Sequence, residues 1–155
     1  MNETELIQEL ERNNWNLTNV ISETLAYEPV TTDRNEVVCK NSHLRFKLLE
    51  KIWSTEGDVK YRSINRFILQ QEILHTKGGC WGFPGAMSWA VENLYSIGHP
   101  EDLILLYEAK YINWDTEMGV LSQYFLGGDT QEAINYLKNK GTKEALEVAD
   151  FIDGM

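Results

Sequence analysis

The side chains that most often bind metals or carry catalysis are sparse in this sequence, and they are not grouped. The chain has 155 residues and includes three histidines and two cysteines. A metal site on a helix needs ligands three or four positions apart, or a Cys-x₂-Cys pair. None of His43, His75 and His99 has such a neighbour, and His75 and Cys80 are separated by a spacing that does not suit a compact metal site. The spacing therefore predicts no metal and no cofactor.

The most unusual local sequence surrounds Cys80, in a run that is rich in glycine and aromatic residues. A thiol close to the start of the next helix would have a lowered pKa and could act as a nucleophile. The alternative, which we favour, is a tight turn in which Trp81 and Phe83 fill the gap between two helices. Gly-x-Ser-x-Gly, phosphate-loop and dinucleotide-binding motifs are absent from the sequence. We therefore expect that the chain is not an enzyme.

The charged residues are unevenly distributed along the chain. The sequence holds 24 acidic and 14 basic residues, which gives a formal net charge of −10. Between residues 78 and 137 the only base is Lys110, against eight acids, whereas residues 40–66 hold seven bases against three acids. If the helices stack in chain order, this separation along the chain becomes a separation in space. The sequence therefore predicts one acidic flank.

An acidic flank attracts basic macromolecules and repels acidic ones. A chain this acidic is poorly suited to binding the phosphate backbone of a nucleic acid. We therefore expect a basic protein partner, with neither nucleic acid nor membrane as a target. Tyr and Trp are common anchors in interfaces, although an aromatic side chain can equally belong to the core. The predicted contact residues are five acids and two aromatic anchors: Glu101, Asp102, Glu108, Asp115, Glu117, Tyr111 and Trp114.

Helices must position these residues, because apolar side chains recur at helical spacing along most of the chain. The pattern predicts nine helical stretches, or eight if the first two form one broken helix. Asp129 and Thr142 are clear helix starts, and Gly98 is a clear helix end. A Pro and two carboxylates at residues 100–102 suit the first turn of another helix, where negative charge complements the helix dipole.

Two segments are less regular. Residues 28–41 carry no helical stripe and are predicted to form a long connection that is extended around Val37 and Val38. A seventh helix is predicted to begin near Asp115 and to end at Gly127.

Short connections elsewhere favour antiparallel neighbouring helices. We predict a single all-helical domain over residues 1–155, built of antiparallel helical hairpins stacked as a short α-solenoid similar to HEAT or armadillo repeats; the alternative is a compact helical bundle.

The C-terminal half resembles the helical, HEAT-like immunity proteins of bacterial polymorphic-toxin and contact-dependent growth inhibition systems. The resemblance rests on the segments Leu103–Lys110 and Asn113–Thr116, which look like the helix and capped turn of such proteins. It implies a protein that binds a cognate toxin domain, often a basic nuclease, and occludes its active site with acids in place of nucleic-acid phosphates. It implies no transferable catalytic or binding residue, because each such protein matches its own toxin.

Three other functions remain open. The chain could be a helical-repeat adaptor that binds a peptide or protein without inhibiting it, or a small enzyme that uses Cys80. Nucleic-acid binding through the basic residues 40–66 is the least favoured, given the overall charge.

The two cysteines are too few for a disulfide scaffold, and the acidic start lacks the features of a signal peptide. We therefore expect a cytoplasmic protein that is monomeric when free.

Overall fold

The computed structural model describes residues 1–53, 57–79 and 84–155 of the chain. This part of the chain is mostly helical, which confirms the predicted all-α class. It also contains two short strands and two 3₁₀ helices, at Val59–Tyr61 and Ser122–Phe125. The helices and strands are α1 (Glu3–Arg12), α2 (Asn19–Leu25), β1 (Pro29–Thr31), β2 (Val37–Cys39), α3 (Ser42–Ile52), α4 (Arg62–Lys77), α5 (Gly85–Ile97), α6 (Asp102–Lys110), α7 (Trp114–Gly119), α8 (Thr130–Lys140) and α9 (Lys143–Asp153).

Local capping explains where several helices begin and end. The side chains of Asp129 and Thr142 accept hydrogen bonds from backbone N–H groups in the first turns of α8 and α9, as the sequence predicts. Gly98 ends α5 with a φ of 73°. Glycine adopts this left-handed conformation without strain because it has no Cβ that would clash with the backbone. Helix α1 begins at Glu3, where Asn2 and Glu5 form a reciprocal capping box.

The connection over residues 28–41 is more ordered than predicted. Strands β1 and β2 pair antiparallel, with Val30 opposite Val38. Asn35 lies in the turn with a φ of 63°, a left-handed conformation that Asn tolerates better than most residues. The sequence gives little sign of this hairpin because the turn lacks the Asn-Gly or Asp-Gly pair that marks two-residue hairpins.

Most of the buried apolar residues in the described ranges form one cluster that extends from Leu6 in α1 to Ile152 in α9. Helix α4 packs against α5 and α6, and α9 packs against α6 and α8. Helix α7 contacts α6. None of the described helices combines the length and apolar character needed to cross a membrane.

A buried ion pair ties the N-terminal elements to α4. Arg45 of α3 and Glu72 of α4 are both almost fully inaccessible, and the Arg45 Nε donates to Glu72 Oε1. The same guanidinium donates to the carbonyl oxygen of Leu25, at 3.0 Å, and contacts Cys39 Sγ at 3.3 Å. One side chain therefore joins the end of α2, strand β2 and helices α3 and α4.

Candidate protein-binding surface

Lys110, the only base between residues 78 and 137, is buried at the end of α6. Its Nζ donates to the carbonyl oxygens of Glu117, at 2.6 Å, and Val120, at 2.7 Å. These carbonyls belong to the end of α7, where unpaired acceptors and the helix dipole favour a cation. The ammonium is therefore directed inward, at the C-terminus of α7, and forms no ion pair with a carboxylate in the described ranges.

The other end of α7 is fixed by a capping box. Asn113 Oδ1 accepts from the Thr116 backbone N–H, and Thr116 Oγ1 accepts from the Asn113 backbone N–H. Thr116 is fully buried, and its hydroxyl also donates toward the carbonyl oxygen of Lys110 at 3.2 Å. Both ends of this short helix are therefore held by α6 and the turn that follows it.

This anchoring decides which side of α7 faces outward. At 100° per residue, Trp114 lies about 200° from Thr116, on the opposite side of the helix. Trp114 is accordingly 72% exposed, and Met118, one turn later on the same side, is 60% exposed. The orientation settles one alternative left by the sequence, because Trp114 does not belong to the core.

Tyr111 lies partly in the core and partly at the surface. Its ring packs 4.7 Å from that of Tyr107 and contacts Phe151 edge-on, centroid to centroid, at 6.0 Å. It nevertheless remains 44% exposed. Burial raises the pKa of its phenol, and the nearby charges of Tyr107 and Glu117 raise it further. Tyr111 is thus held in place by the core while one side faces outward next to a carboxylate.

Two carboxylates complete this area. Glu117 is exposed and Asp115 is partly exposed, and neither forms an ion pair within the described ranges. We use the term α7 surface for the six residues Tyr111, Trp114, Asp115, Glu117, Met118 and Leu121. The α7 surface thus combines large exposed apolar side chains with unneutralised negative charge.

Asp102 does not belong to that surface. Its side chain is 2% exposed and accepts from Arg62 Nε at 2.8 Å, with a second ion pair to Arg66. Burial and two guanidinium partners remove Asp102 from the area that a partner could touch, which corrects the expectation that it is a contact residue. The reason is that α4 packs against α6, so the basic segment meets the acidic one at this point.

The two remaining predicted acids also have basic neighbours. Glu101 accepts from Lys140 at 3.0 Å and from Arg62 at 3.1 Å. The bond from Lys140, followed by that from Arg62, lowers the pKa of the Glu101 carboxyl to about 2. Glu108 pairs with Lys77 at 2.8 Å, and both side chains are half exposed. These bases come from α4 and the end of α8, outside the stretch in which the sequence is nearly free of bases.

The histidines lie apart. His43 is exposed, His75 is buried in α4, and His99 contacts Arg62 through Nδ1 at 3.2 Å. No group of three or more His, Cys, Asp and Glu residues in the described ranges is arranged to hold a metal ion. Cys80 lies outside the described residues, so the alternatives for its loop stay predictions.

Comparison of the chain with models of protein families, with curated proteins and with solved structures finds no match. The geometry of the α7 surface is therefore the basis for a functional proposal.

Sequence reasoning did not identify two features of the α7 surface. Met118 lies four positions after Trp114, a spacing that places both on one side of a helix and that could have signalled a shared exposed face. The burial of Lys110 had no local signal, because it depends on two carbonyls that approach only when α7 folds back along the end of α6.

Proposed function

We propose that this chain is an immunity protein that binds a cognate toxin domain, a basic nuclease, and neutralises it by covering its active site. The α7 surface is the proposed contact area, with Trp114 and Tyr111 as apolar anchors and Asp115 and Glu117 as charged contacts. Glu101 and Glu108 lie outside this area. They would contribute to binding only if their ion pairs within the chain were replaced by ion pairs with basic residues of the partner.

The observation that carries the proposal is the exposure of Trp114, 72%, next to two carboxylates without ion-pair partners in the described structure. An exposed Trp costs free energy in water, because its large apolar area stays hydrated. Trp and Tyr are the side chains that most often dominate binding energy when they enter a partner's pocket. The inward orientation of Lys110 supports the same proposal, since its ammonium forms no ion pair with Asp115 or Glu117 in the described ranges.

The carboxylates supply the mode of inhibition. A nuclease binds nucleic-acid phosphates through lysine and arginine side chains. Asp115 and Glu117 would occupy the place of those phosphates, while Trp114 would fill an apolar gap beside them. Electrostatic attraction between the two surfaces would mainly increase the rate of association, and the apolar anchor would mainly slow dissociation.

The proposal also covers where the chain acts and how its helices are arranged. The chain would act in the cytoplasm, as a monomer when free, with helical hairpins stacked as a short α-solenoid. The packing of α4 against α5 and of α8 against α9, each formed by consecutive helices, supports the stacked arrangement.

The test is protection of cells against the polypeptide encoded directly upstream of this chain. We expect co-expression of the chain to restore growth when that polypeptide is induced, and the two purified proteins to form a complex. Trp114→Ala should weaken the complex by about 30-fold, equivalent to the roughly 2 kcal/mol of a binding hot spot. Val59→Ala, a truncation at a side chain that is 70% exposed elsewhere, is the matched control and should leave binding unchanged.

Charge is tested separately. The double variant Asp115→Lys/Glu117→Lys should slow association by about tenfold at low salt. The double variant Glu11→Lys/Glu23→Lys changes the net charge equally at exposed positions of α1 and α2 and should have little effect. Equal slowing by both variants would show that net charge alone matters and would overturn the assignment of the surface. Binding without protection would instead favour the helical-repeat adaptor.

A further inference from the structure

A cleft lies between the turn that joins α5 to α6 and the segment that leads into α8. We call it the α8 cleft; its volume is about 120 Å³. Its lining includes Tyr95 and Tyr124, together with Asp129 and Glu132 at the start of α8. The rest of the lining includes the apolar side chains of Leu94, Leu103, Leu106 and Ala133 and the polar side chains of His99 and Asp102. The cleft therefore combines an apolar lining, aromatic rings and carboxylates.

The charge of the α8 cleft is negative. Among the described residues no lysine or arginine lines it, although Arg62 contacts the lining side chains of His99 and Asp102. Asp129 Oδ1 accepts from the Glu132 backbone N–H at 3.0 Å, as the cap of α8, and neither carboxylate forms an ion pair in the described ranges. Both carboxylates are exposed, so a cationic group can reach them. Asp102, a third lining carboxylate, is already neutralised by two arginines.

The aromatic rings are fixed by contacts of their own. Tyr124 Oη donates to Glu92 Oε1 at 3.3 Å, and the centroids of Tyr95 and Tyr124 are 5.3 Å apart. The ring of Tyr95 lies against Gly127, where any Cβ would clash with the ring. Glu92 also accepts from the Trp53 indole N–H at 2.8 Å, but it has no ion-pair partner in the described structure. Tyr124 is therefore hydrogen-bonded to Glu92, and both rings line the same cleft as Asp129 and Glu132.

This combination suits an organic cation with an apolar stem. Aliphatic lining residues can contact methylene groups, aromatic rings attract a cation over their faces, and carboxylates bind its N–H groups. A guanidinium fits these requirements better than an ammonium, because it is planar, stacks on aromatic rings and forms two parallel hydrogen bonds to a carboxylate.

We propose that the α8 cleft binds an arginine side chain of a basic partner protein. The inference rests on the proposed function for the kind of partner, but the cleft itself is separate from the α7 surface. Asp129 and Glu132 bind the guanidinium, Tyr95 and Tyr124 flank it, and the apolar lining contacts the methylene groups. The 3₁₀ helix Ser122–Phe125 follows α7 in the chain and supplies Tyr124 to the cleft. One continuous segment therefore contributes residues to both contact areas.

The test uses a probe in place of the partner. Nα-acetyl-arginine methylamide is titrated into the full chain, and the backbone amide NMR signals of Gly128, Asp129 and Glu132 are followed. We expect saturable shifts with a dissociation constant on the order of 1 mM, as is reasonable for a single small group. The citrulline analogue has the same shape without the charge, and we expect it to bind at least about tenfold more weakly.

A matched pair of variants assigns the site. Asp129→Asn/Glu132→Gln removes both charges but keeps a good capping residue at the start of α8. It should weaken binding of the arginine probe by about tenfold or more. Glu144→Gln/Glu147→Gln makes the same charge change on α9 and should leave binding within about twofold of the unmodified chain.

Three results would overturn the inference: no saturable shift, equal binding of the arginine and citrulline probes, or unchanged binding in the Asp129→Asn/Glu132→Gln variant. Its failure is distinguishable from failure of the proposed function. If the cleft variants bind the toxin domain normally while Trp114→Ala does not, the immunity function stands and the cleft is unused. If the probe binds the cleft but no toxin is neutralised, the cleft remains a cation site and the immunity function is wrong.

Discussion

Replacing Lys110 by Met should loosen α7 from the rest of the fold. Lys110 is 6% exposed, and its ammonium donates to the carbonyl oxygens of Glu117 and Val120 at 2.6 and 2.7 Å. Met has a similar length and suits the buried position, so the change removes the charge and both hydrogen bonds but leaves little space unfilled.

The expected magnitude follows from these two bonds. A hydrogen bond from a charged donor contributes about 1.5–3 kcal/mol, so the pair contributes about 3–6 kcal/mol. Removing the ammonium also removes the cost of burying it, which is a few kcal/mol for a group this well covered. We therefore expect the free energy of unfolding to fall by about 2–3 kcal/mol. A control variant, Lys138→Met, removes a lysine that is about half exposed and should change it by less than about 0.5 kcal/mol.

Two assays separate local from global effects. Urea denaturation followed by circular dichroism gives the free energy of unfolding. Hydrogen exchange of the Glu117 and Val120 amides, which donate to Asn113 and Thr116, reports on α7 itself. Exchange at these amides should accelerate by about 30-fold for a loss of 2 kcal/mol. If stability changed by less than about 0.5 kcal/mol and both amides stayed equally protected, Lys110 would not hold α7 and the reasoning about the α7 surface would be refuted.

Three further outcomes follow from the structure. Glu101, whose folded pKa is lowered to about 2 from an ordinary 4.5 by Lys140 and then Arg62, stabilises the fold above its unfolded pKa. That contribution is lost as the pH falls from about 5 towards 2. In denaturation experiments across this pH range, Glu101→Gln should therefore show a smaller decline in the free energy of unfolding. An unchanged decline would show that the ion pairs of Glu101 do not stabilise the fold. Arg45→Met should destabilise the fold by about 3–5 kcal/mol, because it leaves Glu72 buried without its partner. Adding Glu72→Leu should recover most of this loss in urea denaturation, and a double variant as unstable as the single one would argue against the ion pair as the cause. Gly57→Ala should lower the melting temperature, because the residue has a φ of 78° and an added Cβ would lie 2.5 Å from the carbonyl oxygen of Ser96; an unchanged melting temperature would exclude this close approach.

The sequence by itself was sufficient for the helical class and for several helix boundaries. Asp129, Thr142 and Gly98 act on backbone groups within one turn of themselves, so their roles can be predicted from the chain alone. The same local reasoning overestimated the length of α7, which ends at Gly119 and is followed by a separate 3₁₀ helix at Ser122–Phe125. The hairpin of β1 and β2 lacked a turn signal of the usual kind, and so it was expected only as an extended connection.

The charges of the candidate site could not be predicted in this way. The sequence established that bases are nearly absent between residues 78 and 137, and that Tyr111 and Trp114 lie among acids. Only the tertiary structure decided that Asp102 is buried between two arginines of α4, and that Lys110 is directed inward while Trp114 faces outward. The physical reason is the separation along the chain over which each interaction acts. Capping and helical periodicity act over three or four residues, whereas these ion pairs depend on which helices pack together across the core.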